Sequence, residues 1–307
     1  MKHPLVGPVD VVISGPGPAV ERIVPMLPAV SSRSAITPRL TVELLVREGD
    51  LHDAGEPVFQ QPGVDISSRP GVGLVARSTE ASALITAGAV ELVLAPNASP
   101  TAVQPVFDVS WPLLLPAHGM YHVHGAMLRD PHGTGWLLAG DANIGKSTTT
   151  LSLVRCGWSY AADDAVYLSP NDDEIVADGW DEPIRLTARS ANALEVTRKN
   201  PDTPLKSSAL LDPSLAERRI DRSVVNRLLL PELGAATELH SVSAHEALTG
   251  LIRASAWIIC MPRVGGQYLR LLGRVASLPA ARLVLGPELL HDPRLLADRL
   301  LTLGAAA

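Results

Sequence analysis

Cysteine is nearly missing: only Cys156 and Cys260 occur among 307 residues, too few for the disulfide framework of a small secreted domain. Long apolar runs are missing too. Stretches such as 256–261 and 283–285 fall far short of the ~20 residues needed to cross a bilayer. The first 24 residues are interrupted by Asp10, Glu21 and several prolines, so they lack the continuous apolar segment of a secretory leader. Positive charge is not in excess. With 26 Lys and Arg against 32 Asp and Glu, a net charge of -6 and a pI near 5.8, the chain offers nucleic acid or an anionic membrane no broad attraction. Heptads, internal repeats and low-complexity tracts are absent as well. These absences predict a cytoplasmic globular protein with neither nucleic acid nor membrane as partner.

Lysine is scarce: Lys2, Lys146, Lys199 and Lys206 are the complete set. One of them sits in Gly140-Asp141-Ala142-Asn143-Ile144-Gly145-Lys146-Ser147, a full G-x-x-x-x-G-K-[ST] phosphate loop, with Thr148 next. Gly140 and Gly145 permit backbone angles that turn successive N–H groups inward around a phosphate. Lys146 adds a charge that reaches the β- and γ-phosphates, and the Ser147 hydroxyl is placed for Mg²⁺. The context fits, since 135–139 reads as a buried strand and 147–155 as a helix whose positive end would face phosphate. Residues 140–148 are therefore the expected nucleotide-binding set.

The rest of the chain organises around this loop. Residues 1–116 read as a β-rich region that is structural or presents substrate, with strands at 10–14, 40–46, 72–77 and 90–95 and turns at Pro57, Pro62-Gly63 and Pro70-Gly71. An irregular helix limited by Pro105 and Pro112 is expected over 100–116. Residues 117–307 read as a mixed α/β nucleotide domain. A strand at 121–128 turns at Asp130-Pro131-His132-Gly133 into the strand before the loop, a hairpin that brings His124 to the nucleotide. Gly157 ends the loop helix as a left-handed cap, and 158–162 is a strand with Asp163-Asp164 at its end and 165–168 extended beyond. Further expectations are a strand at 223–230, a capping box at Ser243 to Glu246 opening a helix through about Cys260, helices at 266–276 and 293–303, and a strand at 281–285.

Asp163-Asp164 comes sixteen residues after Ser147, a short interval for a phosphate-loop protein; switch GTPases and motor ATPases usually take a longer excursion to their metal-binding acid. Phosphoryl transfer needs a carboxylate to orient or deprotonate the attacking hydroxyl and another acid on the metal side. We assign Asp163 as base and Asp164, with Ser147, to the metal. His124 then orients the base or contacts the transferred phosphate. A rival reading takes His118, His122 and His124 as zinc ligands on one strand face, against which Pro116 and Gly119 argue. Arg185, Lys206, Arg253 and Arg263 are the candidates for further phosphate contacts.

The block His124-Gly125, Gly140 to Ser147, Gly157 and Asp163-Asp164 resembles the catalytic domain of the HPr kinase/phosphorylase family and its relatives, over about residues 121–168. The resemblance implies a phosphoenolpyruvate carboxykinase-like fold with a mixed sheet, ATP (with GTP as the alternative) and Mg²⁺ as cofactors, and transfer of the γ-phosphate to a serine-type hydroxyl. It also implies Asp163, His124 and Lys146 as catalytic residues and homo-oligomers as a family habit. Where the bifunctional enzymes carry Glu after Gly-Lys-Ser, this chain has Thr148, and no Glu-x-Arg-Gly-Leu-Gly segment is found; residues 182–186 supply only Glu182 and Arg185. The pattern therefore points to a related kinase acting on a peptide, protein or small metabolite, and these two departures put phosphorylase activity in doubt. The competing readings are a nucleotide-responsive binding module and a plain ATPase or GTPase.

Overall fold

The structure is a computed structural model that describes residues 5–6, 9–23, 26, 40–179, 183–202, 206–261, 264–290 and 292–305. Glu182 and Arg263 lie outside the described residues. The chain divides into two compact units, Met1–His122 with Trp257–Tyr268, and Val123–Ala256 with Leu269–Ala307.

The first unit is built on an eight-stranded sheet of β1 (Leu5–Val6), β2 (Val9–Ser14), β3 (Leu40–Glu48), β4 (Glu56–Gln61), β5 (Val64–Arg69), β6 (Gly73–Arg77), β7 (Ala81–Ile85) and β8 (Ala89–Leu94), in the order β1-β2-β3-β8-β7-β6-β5-β4. Strands β2, β3 and β8 run parallel, and β8 back to β4 is an antiparallel meander. Alternation sets its faces: Val9, Val11 and Ile13 on β2 and Val42, Leu44 and Val46 on β3 are buried. Helix α1 (Gly17–Ile23) follows β2, and α2 (Pro100–Leu114) lies against β6, β7 and β8.

Two expectations here are corrected. Pro57 is inside β4 and not at a turn; β4 is the sheet edge, where a missing N–H costs no ladder bond, and the register shifts between Pro57 and Phe59. Pro105 and Pro112 do not limit α2, which runs through both before a 3₁₀ turn, Leu115–His118. An interior proline costs ~3 kcal/mol, but α2 buries Val103, Val106, Phe107, Val109, Trp111, Leu113 and Leu114, at roughly 1.5–3 kcal/mol for each large side chain. His118 thus sits in that 3₁₀ turn, ahead of left-handed Gly119, and is not on a strand face with His122 and His124.

The second unit holds a nine-stranded mixed sheet. Its strands are β9 (Tyr121–Arg129, shared at its start with the first unit), β10 (Gly135–Ala139), β11 (Ser159–Ala162), β12 (Ala165–Asn171), β13 (Glu174–Gly179), β16 (Arg222–Val224), β17 (Arg227–Leu233), β18 (Glu238–Ser241) and β19 (Ala280–Leu285). The order is β16-β13-β12-β9-β10-β17-β19-β18, with β11 also paired to β9, and a separate small pair joins β14 (Arg185–Leu186) to β15 (Ser207–Ser208). The helices are α3 (Lys146–Arg155), α4 (Ala188–Ala193), α5 (Pro213–Ala216), α6 (Ala244–Arg253), α7 (Gly265–Ala276, shared at its start with the first unit) and α8 (Pro293–Ala305). Trp136 and Trp158, rings 5.8 Å apart, anchor a core with Leu138, Leu151, Leu229, Leu283 and Leu296.

Strands β10, β17 and β19 are parallel, so their carboxyl ends share one edge of the sheet. That edge is where open α/β sheets hold ligands. Here it gathers the phosphate loop after Ala139, the turn after Leu233 and the turn after Leu285. The expected strand 223–230 is two strands, because its first part pairs with β13 and its second with β10; between them Asn226 exchanges hydrogen bonds with Gly135 at 2.8 and 2.9 Å. The capping box is present, but α6 ends at Arg253 and a 3₁₀ segment, Ala256–Cys260, follows. The Ala254 carbonyl accepts the His124 N–H at 2.7 Å and is thereby taken from the helix ladder.

Candidate active site

Two backbone registers converge on one point. The β9–β10 hairpin pairs Gly125 with Ala139, so His124 stands beside Gly140, whose N–H reaches the His124 carbonyl at 3.3 Å. Gly125 lacks the β-carbon that would come 2.5 Å from the Leu138 carbonyl oxygen, which lets the strands pass this closely. On the other side of β9, strand β11 carries a register shift between Tyr160 and Ala162, and in the chain leaving it the Asp164 carbonyl accepts the Gly125 N–H at 3.2 Å. His124, the loop and the acidic pair are therefore assembled by hydrogen-bond register alone.

Within the loop, the left-handed positions are Asn143 (φ 65) and Gly145 (φ 96). Gly140 is needed instead for room, as a β-carbon there would come 2.5 Å from Ile144 Cδ1. Lys146 is buried and all three of its protons have acceptors: the Gly140 carbonyl at 2.8 Å, the Asp141 carbonyl at 2.6 Å and His124 Nε2 at 2.9 Å. Because Nε2 accepts, the imidazole carries its proton on Nδ1, which donates to the Asp164 carbonyl at 3.1 Å and lies 3.3 Å from its carboxylate. Burial pushes Lys146 down to about 8, with the Lys206 charge adding to the effect. Burial and then the neighbouring Lys146 charge also hold His124 below its ordinary value.

Asp163 is the most perturbed acid. Burial, joined by the Asp164 charge, raises it to about 7, while the Ser147 and Thr150 hydroxyls and Lys206 act in the opposite direction. Those hydroxyls face the carboxyl without completing its hydrogen bonding: Asp163 Oδ1 and Thr150 Oγ1 are both buried with no partner. A buried, unsatisfied carboxyl poised near neutrality is equipped to take up a proton. Asp164 is half exposed and Ser147 buried beside it at the start of α3. Ser147 and Asp164 offer only oxygen donors, which would suit a hard cation such as Mg²⁺.

Eight of the nine loop residues divide between two cavities. Asn143, Gly145, Lys146, Ser147 and Thr148 line the first, of about 540 Å³, together with Arg185, Arg189 and Lys206 and an apolar wall of Leu186, Leu233, Leu285, Pro287 and Leu289. Gly140, Asp141 and Ile144 line the second, of about 460 Å³, with Arg253. Ala142 is exposed and lines neither. Thr148 turns its hydroxyl to Ser190 at 3.0 Å, and Thr187 caps α4 through the Ser190 N–H, so this position fastens α4 to the loop helix. Arg189 and the walls at Leu233 and Leu285 were not singled out in the sequence. Thr187 to Ser190 is a cap signature that would have placed Arg189 at a helix start, and the glycines after Leu233 and Leu285 mark the strand ends. Among the described residues, no group of three or more His, Cys, Asp or Glu side chains is arranged to hold a metal by itself, and no helix is long and apolar enough to cross a membrane.

Known proteins were compared with this geometry in view. No family model matches the chain. Over 79 residues it is 39% identical to HPr kinase/phosphorylase of Streptococcus salivarius, a stretch covering 26% of this chain and 24% of that protein. It is 42% identical over 64 residues to HPr kinase/phosphorylase of Streptococcus pyogenes serotype M5 (strain Manfredo), covering 21% of this chain and 19% of that protein. The chain is related to HPr kinase/phosphorylase. The matched stretch amounts to about a quarter of the length of these HPr kinase/phosphorylase relatives. Among solved structures, the Hpr(Ser) kinase/phosphatase from Coxiella burnetii aligns at 14% identity and a TM-score of 0.33, over 61% of this chain and 99% of that one.

Proposed function

We propose that this protein is an HPr-kinase-related phosphotransferase that moves the γ-phosphate of ATP, or of GTP, to a serine-type hydroxyl on a peptide, protein or small metabolite in the cytoplasm. The fold we assign is the phosphoenolpyruvate carboxykinase-like phosphate-loop type, with 117–307 as catalytic region and 1–116 as structural or substrate-presenting. The observation that carries the reading is Asp163, a buried carboxyl raised to about 7 and directed at the first turn of the loop helix. A nucleotide-binding module without chemistry has no use for such a group.

The residues divide the work as follows. Asp163 takes the acceptor's hydroxyl proton; at pH values near its titration point it is ionised often enough to accept and basic enough to hold the proton. Lys146 exchanges its carbonyl and imidazole partners for phosphate oxygens, and its charge offsets the negative charge that spreads over the transferring group. His124, bonded to the Asp164 backbone, fixes the position of the acidic pair relative to the lysine. Arg185, Arg189 and Lys206 add positive charge along the first cavity, and its apolar wall suits a nucleotide base. The Ser147 hydroxyl with the Asp164 carboxyl would hold Mg²⁺, which when bound neutralises phosphate oxygens.

Incubation of the purified protein with γ-labelled ATP and cell extract tests the reading. Label on an acceptor supports it, free phosphate alone would make the protein an ATPase, and intact ATP would make it a binding module.

A further inference from the structure

The second cavity, lined by the first half of the phosphate loop, is unused by nucleotide binding as described above. Gly140, Asp141 and Ile144 form one wall, the end of β17 at Leu230 to Glu232 another, and His245, Thr249, Gly250 and Arg253 on α6 a third, with Arg282 alongside. It abuts the reacting groups. Gly140 and Asp141 are the residues whose carbonyls hold Lys146, and Ala254, next to Arg253, takes the His124 N–H at 2.7 Å.

Its charges are not equivalent. Arg282 is committed to Glu246 at 3.2 Å and Glu232 at 3.7 Å, and Glu246 also closes the capping box with Ser243. Asp141 lies where its charge offsets that of Lys146. Arg253 is exposed and has no hydrogen-bond or ion-pair partner among the described residues. An arginine kept uncommitted in a cavity wall is a ready two-pronged ligand for a carboxylate or phosphate.

Resting on the kinase reading above, we propose that the second cavity seats the acceptor, and that Arg253 selects acceptors carrying an anionic group, a carboxylate or phosphate ester, next to the reacting hydroxyl. Arg253 is a specificity residue and takes no part in moving the proton or the phosphate.

The test compares serine peptides that differ only in a neighbouring Glu, phosphoserine or Gln, with glycerate as a small hydroxy acid, in the full-length protein and in Arg253→Gln. The expected result is a KM for the anionic probes at least tenfold below that of the Gln peptide, lost in Arg253→Gln; a matching loss of nucleotide affinity would make Arg253 a contact of the nucleotide phosphates and overturn the proposal. Arg253→Glu should reverse the preference toward a Lys-flanked peptide. Peptide against glycerate shows which source of the anion is preferred. Binding of the same probes to the nucleotide-loaded protein, read by calorimetry, separates the two ideas. Anionic binding that depends on Arg253 without any transfer supports the seat and sinks the kinase reading. Transfer that is indifferent to the neighbouring charge or to Arg253 overturns the proposal and leaves the kinase reading standing, and absence of anionic binding also overturns it.

Discussion

The ammonium of Lys146 lies 2.9 Å from Nε2 of His124, and the imidazole is the acceptor. The loop lysine is therefore fully bonded without phosphate, and His124 is held below its ordinary value by burial and then by the charge beside it. A triphosphate drawing Lys146 onto its oxygens should free Nε2 and bring negative charge nearby. His124 is then expected to titrate about one pH unit higher in the nucleotide complex than alone. Imidazole NMR titration with and without a non-hydrolysable ATP analogue reads this directly; an unmoved midpoint would mean that Lys146 never leaves its three acceptors.

Asp163→Asn should abolish transfer while leaving nucleotide affinity near normal, and it should also stabilise the protein in a pH-dependent way. Unfolded, Asp163 ionises near 3.8; folded, near 7. Between these values the native state retains a proton that the unfolded chain has lost, so stability falls as pH rises through that window and stays lowered above it. Removing the carboxylate should raise unfolding free energy at pH 8 by on the order of 2–4 kcal/mol and leave it little changed near pH 4. Urea unfolding at both pH values checks the sign. Equal stability of variant and parent at pH 8 would contradict the burial assigned to this group.

Leu233 is 67% exposed despite lining the first cavity, as expected of a side chain awaiting a flat partner. Leu233→Ala should weaken binding of ATP about 5- to 10-fold and leave pyrophosphate unaffected, since only the base would lose apolar contact. Calorimetry with both ligands decides, and a parallel loss for pyrophosphate would place the base elsewhere.

Gly125→Ala tests the register that brings the site together. Its methyl would meet the Leu138 carbonyl oxygen at 2.5 Å, a backbone atom that cannot swing aside. A loss of about 2 kcal/mol in stability is expected from such overpacking, with a further drop in kcat as His124 shifts from Gly140. Retention of both properties would show that the hairpin tolerates a wider spacing.

Much of this site was legible because its signals are local. The loop, the turn at 130–133 and the cap at Gly157 each depend on a few adjacent residues whose backbone demands are severe, and the structure has the hairpin, the helix from Lys146 and positive φ at Gly157 where they were expected. What was missed depends on distant partners. The strand expected over 223–230 is broken because Ser223 pairs with β13 and Leu228 with β10, a division no local pattern encodes. The prolines of α2 were read for their local cost, whereas the buried face against β6 to β8 decided the outcome. Arg189 looks like any other surface arginine along the chain, and Arg253 stood out only as one of four candidates for a phosphate contact. Only the meeting of strand ends and helices around the loop distinguishes them.

The loop from Gly140 to Thr148 serves two cavities at once, but the remaining walls of those cavities come from separate parts of the chain. Turns after β17 and β19 complete one, and the face of α6 completes the other. On the kinase reading with the acceptor in the second cavity, substitutions on that helix face would change who receives the phosphate while leaving who supplies it untouched. A lineage using this scaffold could diversify its clients through one short stretch of sequence, under little constraint from the chemistry next door.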